Sequence, residues 1–109
     1  MEVEQAIAFA MALPGTERMT HFNHPDFRVG GKIFMSFPDS DRITVHIEPE
    51  QARALIATDP ETFIPQNGVW GDRGWIRIVL ERVDSELAEE LIRESWLRKA
   101  PKRLRKESI

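Results

Sequence analysis

Arginine, lysine, histidine and tryptophan on one strand face can hold phosphate and stack on bases, and this chain offers Arg28, Lys32, Thr44, His46, Trp75 and Arg77 in such a pattern. Guanidinium and ammonium groups neutralise phosphate charge. An indole face stacks on an unpaired base, a contact worth about 1–3 kcal/mol per base. The bland counterpart is a solvated strand face, with Arg77 set opposite an acidic neighbour. A second basic set comprises Arg98, Lys99, Lys102, Arg103, Arg105 and Lys106. If all six met phosphates on duplex DNA, affinity would fall with a log–log salt slope of about −5. The same stretch also suits a structural role: Asp84, Glu86, Glu89 and Glu90 come first and Arg93, Arg98 and Lys99 last, the order a helix dipole favours. Glu89 with Arg93, and Glu94 with Arg98, are spaced as helical ion pairs. For this second set the structural role weighs more.

Other chemistries have less support. His21, His24 and Asp26 have a spacing that a metal could use, but neither a further ligand nor a helical or four-ligand pattern accompanies them, so no metal is assigned. Asp26, His46 and Arg77 could in principle form an acid–base cluster. No Ser-His-Asp order or phosphate-cradling loop is present, and the glycines from Gly68 to Gly74 precede a strand, the reverse of a dinucleotide fingerprint. No catalytic residue and no cofactor are assigned. Trp70 and Trp75 bracket this glycine loop, where they fit a cap on the core edge better than a small-ligand pocket.

A chain of 109 residues with 41% hydrophobic content suits one domain. Its division is a domain over residues 1–100 and a basic tail over 101–109. Without cysteine there is no disulfide, thiolate zinc site or cysteine nucleophile. No signal-peptide pattern or membrane-spanning run is seen, so a soluble, cytoplasmic monomer is expected. Net charge is uneven, at −8 over residues 1–97 and +5 over 98–109. An acidic body argues against a dedicated nucleic-acid binder and confines any such role to a local patch.

The elements that must position these residues follow from periodicity. Val3, Ile7, Ala10 and Met11 predict a helix over Glu2 to Leu13, ended by Pro14-Gly15. Thr16 to Phe22 reads as a short edge strand. Gly30-Gly31 supplies the positive φ angles of a two-residue turn and predicts a hairpin of Asp26 to Val29 and Lys32 to Phe37. Ile43, Val45 and Ile47 alternate with Thr44, His46 and Glu48, the mark of a half-solvated antiparallel strand. Pro49 starts a helix to about Thr58. Asp59 to Arg73 reads as loop, and Ile76, Ile78 and Leu80 give the next strand its core face, leaving Trp75, Arg77 and Val79 on the other. Asp84 caps a last helix whose buried stripe includes Leu87, Leu91, Ser95 and Trp96. The prediction is an α+β two-layer sandwich, an antiparallel sheet with helices on one face, in the order α-β(3-4)-α-β(1-2)-α.

Ala12-Leu13-Pro14-Gly15, His24-Pro25-Asp26-Phe27-Arg28-Val29, Gly31-Lys32-Ile33-Phe34, Gly74-Trp75 and Ala100-Pro101-Lys102-Arg103-Leu104, in that order, resemble the MmcQ/YjbR family of small bacterial proteins nearly end to end. The resemblance implies a secretion-chaperone-like or double-wing arrangement and a DNA-binding role. Combined with the basic residues, it points to weak nucleic-acid binding through Arg28, Lys32, His46, Trp75, Arg77, Lys102 and Arg103. The alternative is a protein-interaction or chaperone-like module without catalytic activity. DNA or a protein is the partner expected, and no membrane.

Overall fold

A computed structural model describes residues 1–21 and 23–107 of the protein, leaving out the side chains of His21 and Glu107. Helix α1 (Val3–Ala12) is followed by strands β1 (Glu17–His21), β2 (His24–Val29), β3 (Lys32–Asp39) and β4 (Arg42–His46). Helix α2 (Pro49–Thr58), strand β5 (Phe63–Pro65), the single turn α3 (Val69–Asp72) and strand β6 (Trp75–Val79) come next, and helices α4 (Ser85–Lys99) and α5 (Lys102–Glu107) follow. The strands form one antiparallel sheet in the order β1-β2-β3-β4-β6-β5. The two-layer α+β class expected from the sequence is therefore the class observed.

Local signals explain most of these elements. Gly30 and Gly31 sit at φ +58° and +79° and join Val29 to Lys32, the tight turn that only residues tolerating positive φ accept without cost. Pro49 occupies the first turn of α2, where its missing N–H is no loss. Asp84 caps α4 by accepting a hydrogen bond from the Leu87 N–H at 3.1 Å. Trp96, fully buried on α4, donates its indole N–H to the Pro14 carbonyl at 3.0 Å and so ties α4 to the end of α1.

The core is the apolar face of the sheet packed under α4, α1 and α2. Phe27, Val29, Met35, Ile43, Val45, Ile47, Ile76 and Ile78 are fully buried, with Ala6, Ala10, Leu91 and Ile92 above them. Burying each large side chain contributes about 1.5–3 kcal/mol, and this layer fixes which strand residues are left for the opposite face.

Three expectations require correction. The segment 59–73 is not all loop: it contains β5 and α3, which extend the sheet and turn Trp70 toward its open side. His24 and Pro25 belong to β2, paired with His21 and Thr20, so the strand starts two residues early and the turn falls just before it. The helical ion pairs do not form: Arg93 lies over the Phe9 ring at 5.3 Å, and Arg98 reaches Glu48 at 3.9 Å. Residues 102–107 of the basic tail are helical, with Leu104 packed on the core beside Gly15. The expected strand end at Phe22 and the side chain of His21 lie outside the described residues.

One irregularity positions the site. Phe27 pairs with Met35 but the next residue, Arg28, pairs with Ile33, so β3 holds one extra residue, Phe34. This β-bulge places Phe34 and Met35 both in the core and moves Ile33 to the open face. The β3–β4 register runs only as far as Met35 opposite Val45. Beyond it, the Phe34 carbonyl accepts from the Ser95 hydroxyl at 2.5 Å, and that hydroxyl accepts from the His46 N–H at 2.9 Å. A buried serine of α4 thus stands between two strands where a ladder bond would otherwise run.

Candidate functional site

Because Ser95 occupies the gap between β3 and β4, the last turn of α4 lies beside the open end of the strand pair, and Lys99 reaches the sheet's uncovered side. There a cleft of about 520 Å³ is lined by Arg28, Lys32, Trp70, Trp75, Gln66 and Lys99, with Ser36 and Thr44 on its floor. That volume is in the range of small-ligand sites. Arg28, Lys32 and Lys99 make the lining cationic, and no carboxylate among the described residues is part of it. The acidic character of residues 1–97 therefore stops at the edge of this recess.

Neighbours set the direction of several of these side chains. Arg28 grips the buried Asp26 through Nε at 3.0 Å and a second nitrogen at 3.3 Å, a fork that sets its direction while sharing its charge. Arg77 donates to Gln66 Oε1 at 2.8 Å and lies between Thr44 and Ile64, so the acidic cross-strand neighbour expected for it is a neutral amide. Trp70 is 53% exposed at the rim, with Arg73 over its ring at 5.7 Å. Both tryptophans thus line the cleft rather than cap the core edge.

The centre of the arrangement is His46. Gly74, at φ +101°, receives the Ile47 N–H on its carbonyl, and a Cβ there would collide with the Ile47 carbonyl oxygen. That close approach sets the register in which His46 opposes Trp75, and their rings stack at 4.7 Å and 5°. His46 Nε2 lies 2.8 Å from the Arg73 carbonyl, which only accepts, so Nε2 carries the proton and Nδ1 is bare. Lys99 Nζ donates to that bare Nδ1 at 2.7 Å and sits 5.2 Å from the centre of the Trp75 ring. Burial pushes the His46 pKa down, and Lys99 and Arg98 add to this against the opposing Arg73 carbonyl. Burial also pushes the Lys99 pKa down, with Arg98 and Lys32 acting in the same direction. At the cleft, then, an ammonium whose charge is disfavoured rests on an imidazole that is bare at Nδ1.

Of the residues singled out from the sequence, Arg28, Lys32 and Trp75 line the cleft, His46 touches it through Lys99 and Trp75, and Arg77 supports Gln66 from behind. Lys102 and Arg103 are exposed on α5 and do not line it. Asp26, His46 and Arg77 do not form a cluster: each binds a different partner. Among the described residues no group of three histidines or carboxylates could hold a metal. Lys99 and Trp70 join this lining although local sequence assigns one to a basic helix end and the other to the core edge. No helix among the described residues is long and apolar enough to cross a membrane.

Comparison with known proteins agrees with this architecture. A family model described as YjbR matches residues 11–98. The crystal structure of Deinococcus radiodurans protein DR2400, described as a DUF419 domain, superposes with a TM-score of 0.81 at 23% identity, covering 97% of this chain and 86% of that one. A structural-genomics target from Pseudomonas syringae gives 0.69 at 16% identity, over 91% of this chain and 99% of the other. At these identities the likeness is one of fold. No match was found among curated proteins.

Proposed function

The chain belongs to the YjbR family, and from that premise we propose that its open sheet face binds single-stranded nucleic acid, one base entering the cleft while phosphates meet the cations around it. The observation that carries this reading is the lining itself: Arg28, Lys32 and Lys99, with no carboxylate among the described residues, between the indoles of Trp70 and Trp75. Cations track a backbone and aromatic faces stack on bases of any sequence, the combination that single-strand binders use. Duplex DNA fits less well. Its base edges lie within grooves and are reached by a protruding helix or ribbon, whereas this face is a recess.

Lys102 and Arg103 extend the same path. Pro101, just before them, packs on Gly30 of the hairpin turn whose other residue, Gly31, lines the cleft. A strand leaving the recess past that turn meets these exposed cations next. The reading is one of binding without turnover, in a chain acting as a monomer. It is favoured over a protein-interaction module because, among the described residues, two of the five exposed large apolar side chains, Val69 and Trp70, are on α3, whose Trp70 lines the cationic recess, and the others are scattered over α1, β1 and α4.

An NMR titration with short single-stranded and duplex DNA at low salt tests the proposal. Amide shifts at Arg28, Lys32, Trp75 and Arg77, with quenching of tryptophan fluorescence and tighter binding of the single strand, are the expected result. No perturbation of these residues by either form would overturn it.

A further inference from the structure

We propose that Lys99 is a carbonyl-reactive amine that captures a small anionic aldehyde in the cleft as a reversible imine, with His46 as its proton-transfer partner. This goes beyond reversible nucleic-acid binding in the same cleft, because it turns on the Lys99–His46 contact rather than on charge and stacking alone. Lysines are commonly neutralised by carboxylates or left in solvent. Lys99 is half-buried and differs: it lines a recess to which the described residues bring no carboxylate, donates to the bare Nδ1 of His46 at 2.7 Å, and rests over Trp75. A lysine amine becomes nucleophilic when desolvated or set beside another cation. Partial burial, with Arg98 on its own helix and Lys32 on β3, moves Lys99 in the direction of both conditions.

The geometry supplies the remaining parts. His46 Nδ1 is kept bare because Nε2 donates to the Arg73 carbonyl, so the imidazole is placed to take a proton held at Lys99. When the amine lone pair attacks the aldehyde carbon, the carbon–nitrogen bond forms and the carbonyl π pair moves to oxygen. Starting from the neutral amine, His46 relays one proton from nitrogen to that oxygen, giving the carbinolamine hydroxyl, and then a second, so that the hydroxyl departs as water. Amine plus aldehyde gives imine plus water, with no change of oxidation state. Lys32 and Arg28 are the cations placed to hold the ligand's anionic group, and Trp75 or Trp70 offers a face to a planar ring.

Pyridoxal 5′-phosphate, which combines ring, aldehyde and phosphate, is a suitable probe with cyanoborohydride to reduce the imine and peptide mapping to locate it. The chain has four lysines, Lys32, Lys99, Lys102 and Lys106, which provide the internal controls. Lys99 should be labelled about tenfold faster than exposed Lys102, and His46→Gln should slow Lys99 by about tenfold without altering Lys102. The rate at Lys99 should rise with pH through a midpoint below the ordinary lysine value of 10.5. The charged groups that bear on it are His46 from β4, Lys32 from β3, Arg98 from α4 and the Asp26-paired Arg28 from β2. Lys99→Arg, which keeps the charge, should abolish the selective label. Equal labelling of all four lysines, or a Lys99 midpoint in the ordinary range, overturns the proposal. If trapping fails while single-stranded DNA still shifts the cleft residues, only this inference falls. The reverse outcome removes only the nucleic-acid reading.

Discussion

The two faces of this sheet solve opposite problems with the same six strands. The helix side is filled by Phe27, Met35, Ile43, Ile76 and Ile78 under α4, and nearly everything there is dry. The other side retains Arg28, Lys32, Gln66, Trp70 and Trp75 around a recess. Ser95 and Lys99, four residues apart on α4, connect them: Ser95 is buried between β3 and β4, and Lys99 emerges beyond the gap. The difference teaches that the core layer does more than stabilise. By accepting an extra residue at Phe34 it opens the strand pair and lets a helix from the packed face deliver a functional group to the exposed one.

The contrast can be broken from the core side first. Phe34→Ala removes a fully buried ring and should lower unfolding free energy by about 3–5 kcal/mol in a urea titration. Ser95→Ala leaves the Phe34 carbonyl and the His46 N–H without their shared partner, and should cost about 1–3 kcal/mol. Unlike Phe34→Ala it should also disturb Lys99, visible as a changed His46 resonance. From the open side, Trp75→Ala should weaken single-strand binding by about 1–3 kcal/mol with a much smaller effect on unfolding, as read by fluorescence anisotropy and denaturation together. Equal loss of stability and binding would erase the distinction between the faces.

Two finer measurements sharpen it. The His46 pKa lies below its ordinary 6.5 in the folded protein, so the unfolded chain takes up the proton first as pH falls. The stability this residue contributes above pH 6.5 is therefore lost as pH drops through the folded midpoint. Lys99→Gln should move that midpoint upward but short of 6.5, since burial, the largest cause, persists; imidazole NMR titration gives the answer. The smallest effect is ionic: three cleft cations on a single strand give a log–log salt slope of about −2, at roughly −0.7 per contact. A slope well beyond that would bring Lys102 and Arg103 into the interface.

Much of the frame was legible from residues with strong local preferences. Gly30-Gly31 dictates its turn, Pro49 and Thr58 bound α2, Asp84 caps α4, and the alternation from Ile43 to Ile47 and from Trp75 to Val79 separates the faces correctly. What escaped was set by tertiary pairing. Nothing local in Ile33-Phe34-Met35 says which residue is the extra one, because the bulge exists only relative to β2. Ser95 falls on the buried stripe by spacing, yet its role depends on strands far away. Lys99 was hidden among cations that the helix dipole explains equally well. β5 and α3 lay in a segment whose prolines and glycines outweighed its short apolar runs.

The hydroxyl bridge of Ser95 joins residues 61 and 49 positions away along the chain. Contacts of such sequence separation form only after long loops have closed, and they slow the search for the native state. The local hairpins can therefore assemble while the recess is still missing its lysine. A ligand that needs Lys99 can recognise only molecules that have finished docking α4, and by mass action it draws late folding intermediates toward the completed state.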